Sequence, residues 1–294
     1  MKPPPFEYHD PETLEEAVRL LAEYEGEAKV IAGGQSLMPL LNMRLARPQA
    51  LVDLRRIAGL DYIRRENGGL AIGALTRQRD VERSADVAEL FPLLQAATRF
   101  IAHPQIRNRG TIGGSMAHAD PAAELPAVAV SLDATFAITG PQGERAVAAG
   151  DFFVSFLTTS LGPEDVLTEV RFPGLGRRMG WSFQEVARRH GDFALAGVAV
   201  ALAIESGKCR NARVALFGVA GTPVRARRAE QVLEGETPSG ELMREAAMTA
   251  AEEMDEPVAD IHASAEYRRH VAGVLTRRAL EEAASRAAAS TEGV

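Results

Sequence analysis

Lys29-Val30-Ile31-Ala32-Gly33-Gly34-Gln35-Ser36-Leu37-Met38-Pro39 reads as a short apolar strand, a glycine pair and the start of a helix. Glycine supplies positive φ at no steric cost and admits a close second backbone or ligand, and successive N–H groups in such a turn can converge on an anion. A bare strand-to-helix turn would use the same residues. A second pair lies in Gly110-Thr111-Ile112-Gly113-Gly114-Ser115, preceded by Ile106-Arg107-Asn108-Arg109 and followed by His118-Ala119-Asp120-Pro121-Ala122-Ala123-Glu124. Amide and hydroxyl donors there suit a diphosphate, and carboxylates suit sugar-type hydroxyls. Neither pair forms a Gly-x-Gly-x-x-Gly turn or a Gly-x-x-x-x-Gly-Lys-Ser/Thr loop, so a dinucleotide would bind outside those geometries.

Outward from these motifs, Leu14, Ala17, Val18 and Leu21 mark one face of a helix, which Thr13 and Glu16 open at capping-box spacing and which ends near Gly26. Strands are predicted at Ala28 to Ala32 and Ala50 to Leu54, a helix over Ser36 to Arg44, and a hairpin over Tyr62 to Ala74 turning at Asn67-Gly68. Helices follow near Thr76 to Ser84 and Phe91 to Ile101. The polar stretch His103 to Pro121 has no clear period and reads as a long, functional loop. A helix over Ala122 to Leu132 leads to strands at Ala134 to Thr139, Arg145 to Ala148 and Val166 to Phe172, and Pro173-Gly174-Leu175-Gly176 reads as a linker. Beyond it, Trp181 to Val186, Ala194 to Ile204 and Ala212 to Val219 suggest an antiparallel sheet with a turn at Ser206-Gly207. Helices complete the chain at Arg225 to Leu233, Gly240 to Met254 and Ser264 to Ala288. Strands grouped before helices favour an α+β class.

A chain of 294 residues corresponds to about two domains at roughly 150 residues each. Its formal net charge of −7 gives no sign of a nucleic-acid binder. The single cysteine, Cys209, excludes an internal disulfide and any metal site made of thiolates alone, so a redox metal centre would belong to a partner. Acidic residues precede any apolar run near the start, as a signal peptide would not allow, and Ala194 to Ile204 is too short to span a bilayer as a helix. The expectation is a cytoplasmic protein with no membrane span.

Lys29 to Pro39 together with Ile106 to Pro126 resembles the FAD-binding medium subunit of the molybdenum hydroxylases, the group of xanthine and carbon monoxide dehydrogenases. The resemblance is strongest to the separate-subunit, carbon monoxide dehydrogenase-like branch. It extends through Phe6-Glu7-Tyr8, Ala71-Ile72-Gly73-Ala74-Leu75-Thr76, Val166-Leu167-Thr168-Glu169-Val170, Gly191-Asp192-Phe193-Ala194 and Ala265-Glu266-Tyr267-Arg268-Arg269. It implies an α+β fold with a PCMH-type FAD-binding domain over 1–175, made of two α/β subdomains (about 1–56 and 57–175). A C-terminal α+β domain over 176–294, an antiparallel sheet plus helices, would cover part of the flavin.

The resemblance further implies that Ala32, Gly33, Gly34, Gln35 and Ser36, with Leu37 beginning the helix, bind the diphosphate of FAD. Gly110, Thr111, Gly113, Gly114 and Ser115 would close on it from the second subdomain, giving two backbone nests. Lys29 and Val30 would line the cofactor, Ile101 and Ala117 would pack its edges, and Glu124, with Asp120, would accept from a sugar or ribityl hydroxyl. Leu167, Gln184 and Phe193 would approach the isoalloxazine. Ser115 replaces the asparagine of many relatives, and Phe193 lacks the hydroxyl of the tyrosine found in some. No residue of the chain is expected to be an acid, a base or a metal ligand. Molybdopterin would sit on a large partner subunit and 2Fe–2S clusters on a small one, in a dimer of heterotrimers.

Two other readings fit parts of the sequence. A self-contained FAD oxidoreductase would bind a small substrate near Phe193. A hydrolase would use Gly113-Gly114-Ser115-Met116-Ala117, which lacks the final glycine of a nucleophile elbow and is preceded by a polar stretch instead of a strand.

Overall fold

The computed structural model describes residues 2–175, 179–254 and 257–289. Strand β1 (Glu7–His9), helix α1 (Leu14–Glu23), β2 (Ala28–Ile31), α2 (Leu37–Asn42) and β3 (Ala50–Asp53) make the first subdomain. Its sheet is parallel, in the order β1-β3-β2, with Tyr8 opposite Leu51 and Val30 opposite Val52. Thr13 caps α1 by accepting from the Glu16 N–H at 3.2 Å, while the Glu16 carboxylate returns to the Glu12 N–H, one residue outside the expected box. Ala17, Val18, Leu20 and Leu21 are buried on the helix. Helix α2 is shorter than its apolar run suggests: Arg44 takes a left-handed conformation with φ of 59°, and a helix cannot continue through it.

The second subdomain opens with the hairpin β4 (Ile63–Glu66) and β5 (Gly69–Gly73), and both turn residues, Asn67 and Gly68, have the positive φ of a type I′ turn. Then come α3 (Gln78–Arg83), α4 (Ala85–Leu90), α5 (Pro92–Phe100), α6 (Pro104–Arg107), α7 (Ile112–His118) and α8 (Glu124–Ser131). They are followed by β6 (Thr135–Gly140), β7 (Gly143–Ala148), α9 (Ala149–Phe152), a small hairpin of β8 (Phe153–Ser155) and β9 (Thr158–Thr159), and β10 (Val166–Phe172). The main sheet is antiparallel in the order β4-β5-β10-β6-β7. The expected loop from His103 to Pro121 is therefore corrected to two helices joined by a short turn. Four residues, and seven that include Gly113, Gly114, Ser115 and Ala117, are too few to reveal a helical period.

In the C-terminal part, β11 (Gly180–Ala187), β12 (Ala194–Glu205), β13 (Lys208–Phe217) and β14 (Val224–Arg225) form an antiparallel sheet in chain order. Helices α10 (Arg227–Leu233), α11 (Gly240–Glu252) and α12 (Ala265–Ala289) cover one face of it. The expected linker is described through Leu175, where Gly174 lies against the Asn67-Gly68 turn; Gly176 falls outside the described residues.

Strand β12 explains its own sequence. Ala196, Val198, Val200 and Leu202 face the helices, while Ala199 and Ala201 on the other side join Phe91, Leu94, Val128, Phe183 and Phe217 in one core with the second subdomain. A strand buried on both faces reads as a continuous apolar run. The smaller residues lie on the side where the second subdomain comes in. The C-terminal sheet is thus built into the second subdomain's core. Arg268 of α12 reinforces the junction: it is 4% exposed and donates to the carbonyls of Leu195 and Gly218, and the Gly218 N–H reaches the Pro121 carbonyl at 2.8 Å.

Helix α12 crosses β11 at Gly180, where any Cβ would overlap the carbonyl oxygen of Ala283. Backbone on both sides leaves no side chain to yield. Gly180→Ala is therefore expected to destabilise the chain by about 1–3 kcal/mol, the usual cost of overpacking. A urea midpoint equal to that of the wild type would contradict this packing.

Candidate functional site

The parallel strands β1, β3 and β2 end at one edge, where ligands of open α/β sheets are usually held. A cleft of about 480 Å³ opens there, within the range of cofactor sites. Ile31, Ala32, Gly33, Gly34, Gln35 and Met38 line one wall, Tyr8, Asp53 and Arg55 a second, and Arg77, Ile106 and Arg109 of the second subdomain a third.

The two glycine motifs meet in this cleft. A Cβ on Gly33 would overlap the carbonyl oxygen of Arg109 and lie 2.8 Å from the Cα of Gly110. A Cβ on Gly114 would lie 3.9 Å from that of Ala32. Gly33 and Gly110 are both buried, so backbone rests on backbone with no room for a side chain. Gly34, with φ of 71°, reverses the chain above Met38 and Ile31.

The motifs differ in what their amides are doing. Among the described residues, none accepts from the N–H groups of Gly33, Gly34, Gln35 and Ser36; the turn is held instead by the Gln35 side chain on the Gly33 carbonyl at 2.9 Å. These four amides are open to an anion. In the second motif the Ile112 N–H goes to Thr76, that of Gly113 to Ala74 at 2.9 Å, that of Gly114 to the Thr111 hydroxyl at 3.0 Å and that of Ser115 to the Thr111 carbonyl. The expected second nest is thus already spent on capping α7 and on tying it to the end of β5. What Thr111 and Ser115 retain for a ligand is their hydroxyl O–H donors. Ser115 lies within α7, not at the strand-to-helix elbow a hydrolase nucleophile occupies.

Cations complete the cleft. Arg55 donates to the Tyr8 hydroxyl at 2.6 Å, and that hydroxyl donates to Asp53 at 2.8 Å, fixing the outer wall. Arg77 donates to the Arg109 carbonyl, within the second subdomain's wall. Three guanidinium groups beside four open amides match a diphosphate. Asp53, Arg55 and Arg77 are cleft residues that motif reading does not reach; the signal for Arg55 is its place just beyond the carboxyl end of β3.

The remaining expected residues lie around this centre. Lys29 is exposed on β2, Val30 belongs to the first subdomain's core, and Ser36 and Leu37 open α2. Ile101 is buried, with its carbonyl receiving Arg107 at 2.8 Å, and Ala117 is exposed on α7. Asp120 accepts from the Ala122 N–H and shapes the turn into α8, whose first residue is Glu124. Leu167 is buried on β10. Phe193 is 71% exposed, on a turn seated against the second subdomain: a Cβ on Gly191 would stand 2.5 Å from the His103 ring, and His190 stacks on that ring.

Gln184 points elsewhere. Its amide and the Ser182 hydroxyl both donate to Glu282 of α12, so it faces the helix side of the C-terminal sheet. Alternation along β11 gives the opposite side to Phe183 and Glu185. Gln184 thus lies on the side of β11 that faces α12, and Glu185 on the side shared with Phe183. Burial pushes the Glu185 carboxyl up to about 8 and Glu124 up to about 7, each with a neighbouring carboxylate adding to the rise.

Among the described residues, no group of three or more His, Cys, Asp or Glu side chains is placed to hold a metal ion, and Cys209 is buried on β13. No helix among them is long and apolar enough to cross a membrane.

Comparison with known proteins gives two family matches. Residues 4–175 match the model of the FAD binding domain in molybdopterin dehydrogenase, and residues 181–283 that of the CO dehydrogenase flavoprotein C-terminal domain. The 6-hydroxypseudooxynicotine dehydrogenase complex subunit alpha of Paenarthrobacter nicotinovorans is 44% identical, over 100% of this chain and 99% of its own. The carbon monoxide dehydrogenase medium chain of Hydrogenophaga pseudoflava is 39% identical over 98% of this chain and 100% of its own. A solved carbon monoxide dehydrogenase from the same organism, lacking the Mo-pyranopterin moiety of its cofactor, superposes with a TM-score of 0.95, covering 97% of this chain and 99% of its own.

Gly33→Ala tests the meeting of the motifs. The added methyl must force the backbones apart, so the variant is expected to lose about 1–3 kcal/mol of stability and to bind FAD at least tenfold more weakly by flavin fluorescence titration. Wild-type affinity in a folded Gly33→Ala chain would contradict the close approach.

Proposed function

The chain belongs to the FAD-binding flavoprotein family of the molybdopterin dehydrogenases, and on that premise we propose that it is the electron-transfer subunit of a heterotrimeric molybdenum hydroxylase. In this reading a large subunit carries the molybdopterin and oxidises substrate, a small one carries 2Fe–2S clusters, and this chain passes the electrons to an external acceptor. A dimer of such heterotrimers in the cytoplasm is the assembly it implies. One observation carries the proposal. The same chain plan, over nearly its whole length, serves relatives named for substrates as unlike as 6-hydroxypseudooxynicotine and carbon monoxide. What such subunits have in common is the flavin, not the substrate.

FAD, when bound, takes electrons one at a time and releases them in pairs, which suits it to stand between clusters and a two-electron acceptor. The chain's own residues hold it in place. The open amides of Gly33 to Ser36, preceded by Ala32 and followed by Leu37, receive the diphosphate, with Arg55, Arg77 and Arg109 offsetting its charge. Gly110, Gly113 and Gly114 bring the second backbone to within contact, and Thr111 and Ser115 add hydroxyl groups. Lys29 and Val30 flank the cofactor from β2. Ile101, Ala117 and Leu167 supply apolar edges, Asp120 and Glu124 take hydroxyl hydrogens, and the exposed ring of Phe193 can lie over one face of the flavin and limit access to it. Cys209 is the sole cysteine and is buried, so clusters must come from a partner.

The test is flavin bleaching in two preparations. Reconstituted with its two partner subunits, the chain's flavin band is expected to bleach when the holoenzyme's substrate is added without acceptor. The FAD-loaded chain alone is expected to bleach with dithionite but with none of the candidate small molecules. Rapid bleaching of the isolated chain by a small organic substrate would overturn the proposal in favour of a self-contained oxidoreductase.

A further inference from the structure

Gly110, on which Gly33 rests, is itself held by Gln78, the first residue of α3. The Gln78 N–H donates to the Gly110 carbonyl at 2.9 Å, and its side chain closes the space beside the α-carbon: a Cβ on Gly110 would stand 2.5 Å from Gln78 Oε1 and 2.9 Å from its Cδ. Just before it, Arg77 bridges to Thr111 in antiparallel fashion and donates to the Arg109 carbonyl. The start of α3 thus grips residues 109–111, and Gln78 supplies the surface against which Gly110 lies. For packing alone that surface is poorly chosen. Gln78 is 5% exposed, and its Oε1 is buried with no hydrogen-bond partner. A buried acceptor left unsatisfied costs free energy that an apolar side chain of the same length would not. What the amide oxygen offers is a closer seat: a Cα–H rests on oxygen at about 3.3–3.6 Å between heavy atoms, against about 3.5–4.0 Å between carbons.

We propose that Gln78 is a positioning residue for the cofactor: its amide oxygen sets where Gly110 stands under Gly33, and through that contact the spacing between the open amides of Gly33 to Ser36 and the facing cations Arg77 and Arg109. Gln78 acts through Gly110 and not by contact with FAD. A bulkier group in the oxygen's place displaces Gly110, and Gly33, lying on it with no room to spare, must move as well. The orphaned oxygen is thus a cost in fold stability that keeps the cleft at the width of a diphosphate. This rests on FAD as the cofactor and not on the route by which electrons reach it.

Gln78→Met separates positioning from packing, since methionine is unbranched and flexible like glutamine but ends in a methyl group. The urea midpoint is expected to stay at the wild-type value or rise, because the orphaned oxygen is gone. FAD affinity of the purified full chain, read by flavin fluorescence, is expected to fall by about three- to tenfold, because the methyl group shifts Gly110. ADP shares the diphosphate with FAD and is expected to weaken by the same factor. In a chain carrying both Gly33→Ala and Gln78→Met the two losses are expected not to multiply: both act on one contact, so FAD affinity stays within about twofold of Gly33→Ala alone. A side chain that served packing only would lose stability and affinity together, or lose neither. A Gln78→Met chain that fails to fold, one that binds FAD as the wild type does, an unchanged ADP affinity, or losses that multiply in the double variant would overturn the proposal. Because these readings involve no partner, they stand or fall separately from the bleaching test.

Discussion

The structure depends on one contact, the backbone of Gly33 resting on the backbone of Arg109 and Gly110. It joins two subdomains whose sheets are otherwise separate, one parallel and one antiparallel. A methyl group at that point would part the walls of the cleft. With glycine there, four free amides from one subdomain come to face Arg77 and Arg109 from the other. The contact also explains the unequal labour of the two motifs. The first must stay open to a ligand, and the second must be rigid enough to be rested upon. Its amides are therefore spent on the Thr111 cap and on Thr76 and Ala74.

The C-terminal part is joined differently. Its sheet shares a core with the second subdomain, with Ala199, Ala201, Phe183 and Phe217 packed in the same cluster as Leu94 and Val128. Arg268 and the Gly218–Pro121 bond hold the turn before α8 in register with the end of β13. Since α8 begins at Glu124, that tie sets where this buried carboxyl stands relative to the glycine cleft. Binding and assembly thus meet in one protein whose covalent chemistry is left to a cofactor, and whose single, buried thiol takes no part.

Much of this is legible in the residues. Asn67-Gly68 specifies a hairpin because two consecutive positive φ angles admit few other pairs, and Thr13 with Glu16 announces the start of α1. Ala194 to Ile204 reveals a doubly buried strand by its unbroken apolarity. The glycine motifs are visible as sequence, but their contact is not, because it joins backbones distant along the chain. Helices α6 and α7 escape because glycine, serine and proline carry no periodic signal over one or two turns. The phase of β11 escapes for a different reason: Gln184 and Glu185 are both polar and both half-buried, so alternation alone does not say which of them faces α12. Only the Glu282 bond shows that it is Gln184. Arg55 and Arg77 are invisible until three strand ends and a helix turn come together.

Amide hydrogen exchange with and without FAD tests the central claim most directly. The account predicts that the N–H groups of Gly33, Gly34, Gln35 and Ser36 exchange fast in the free chain and become strongly protected when FAD binds, while those of Ile112 to Ser115 are protected already and change little. Equal exchange at Gly33 to Ser36 in both states, with protection gained at Ile112 to Ser115 instead, would contradict it.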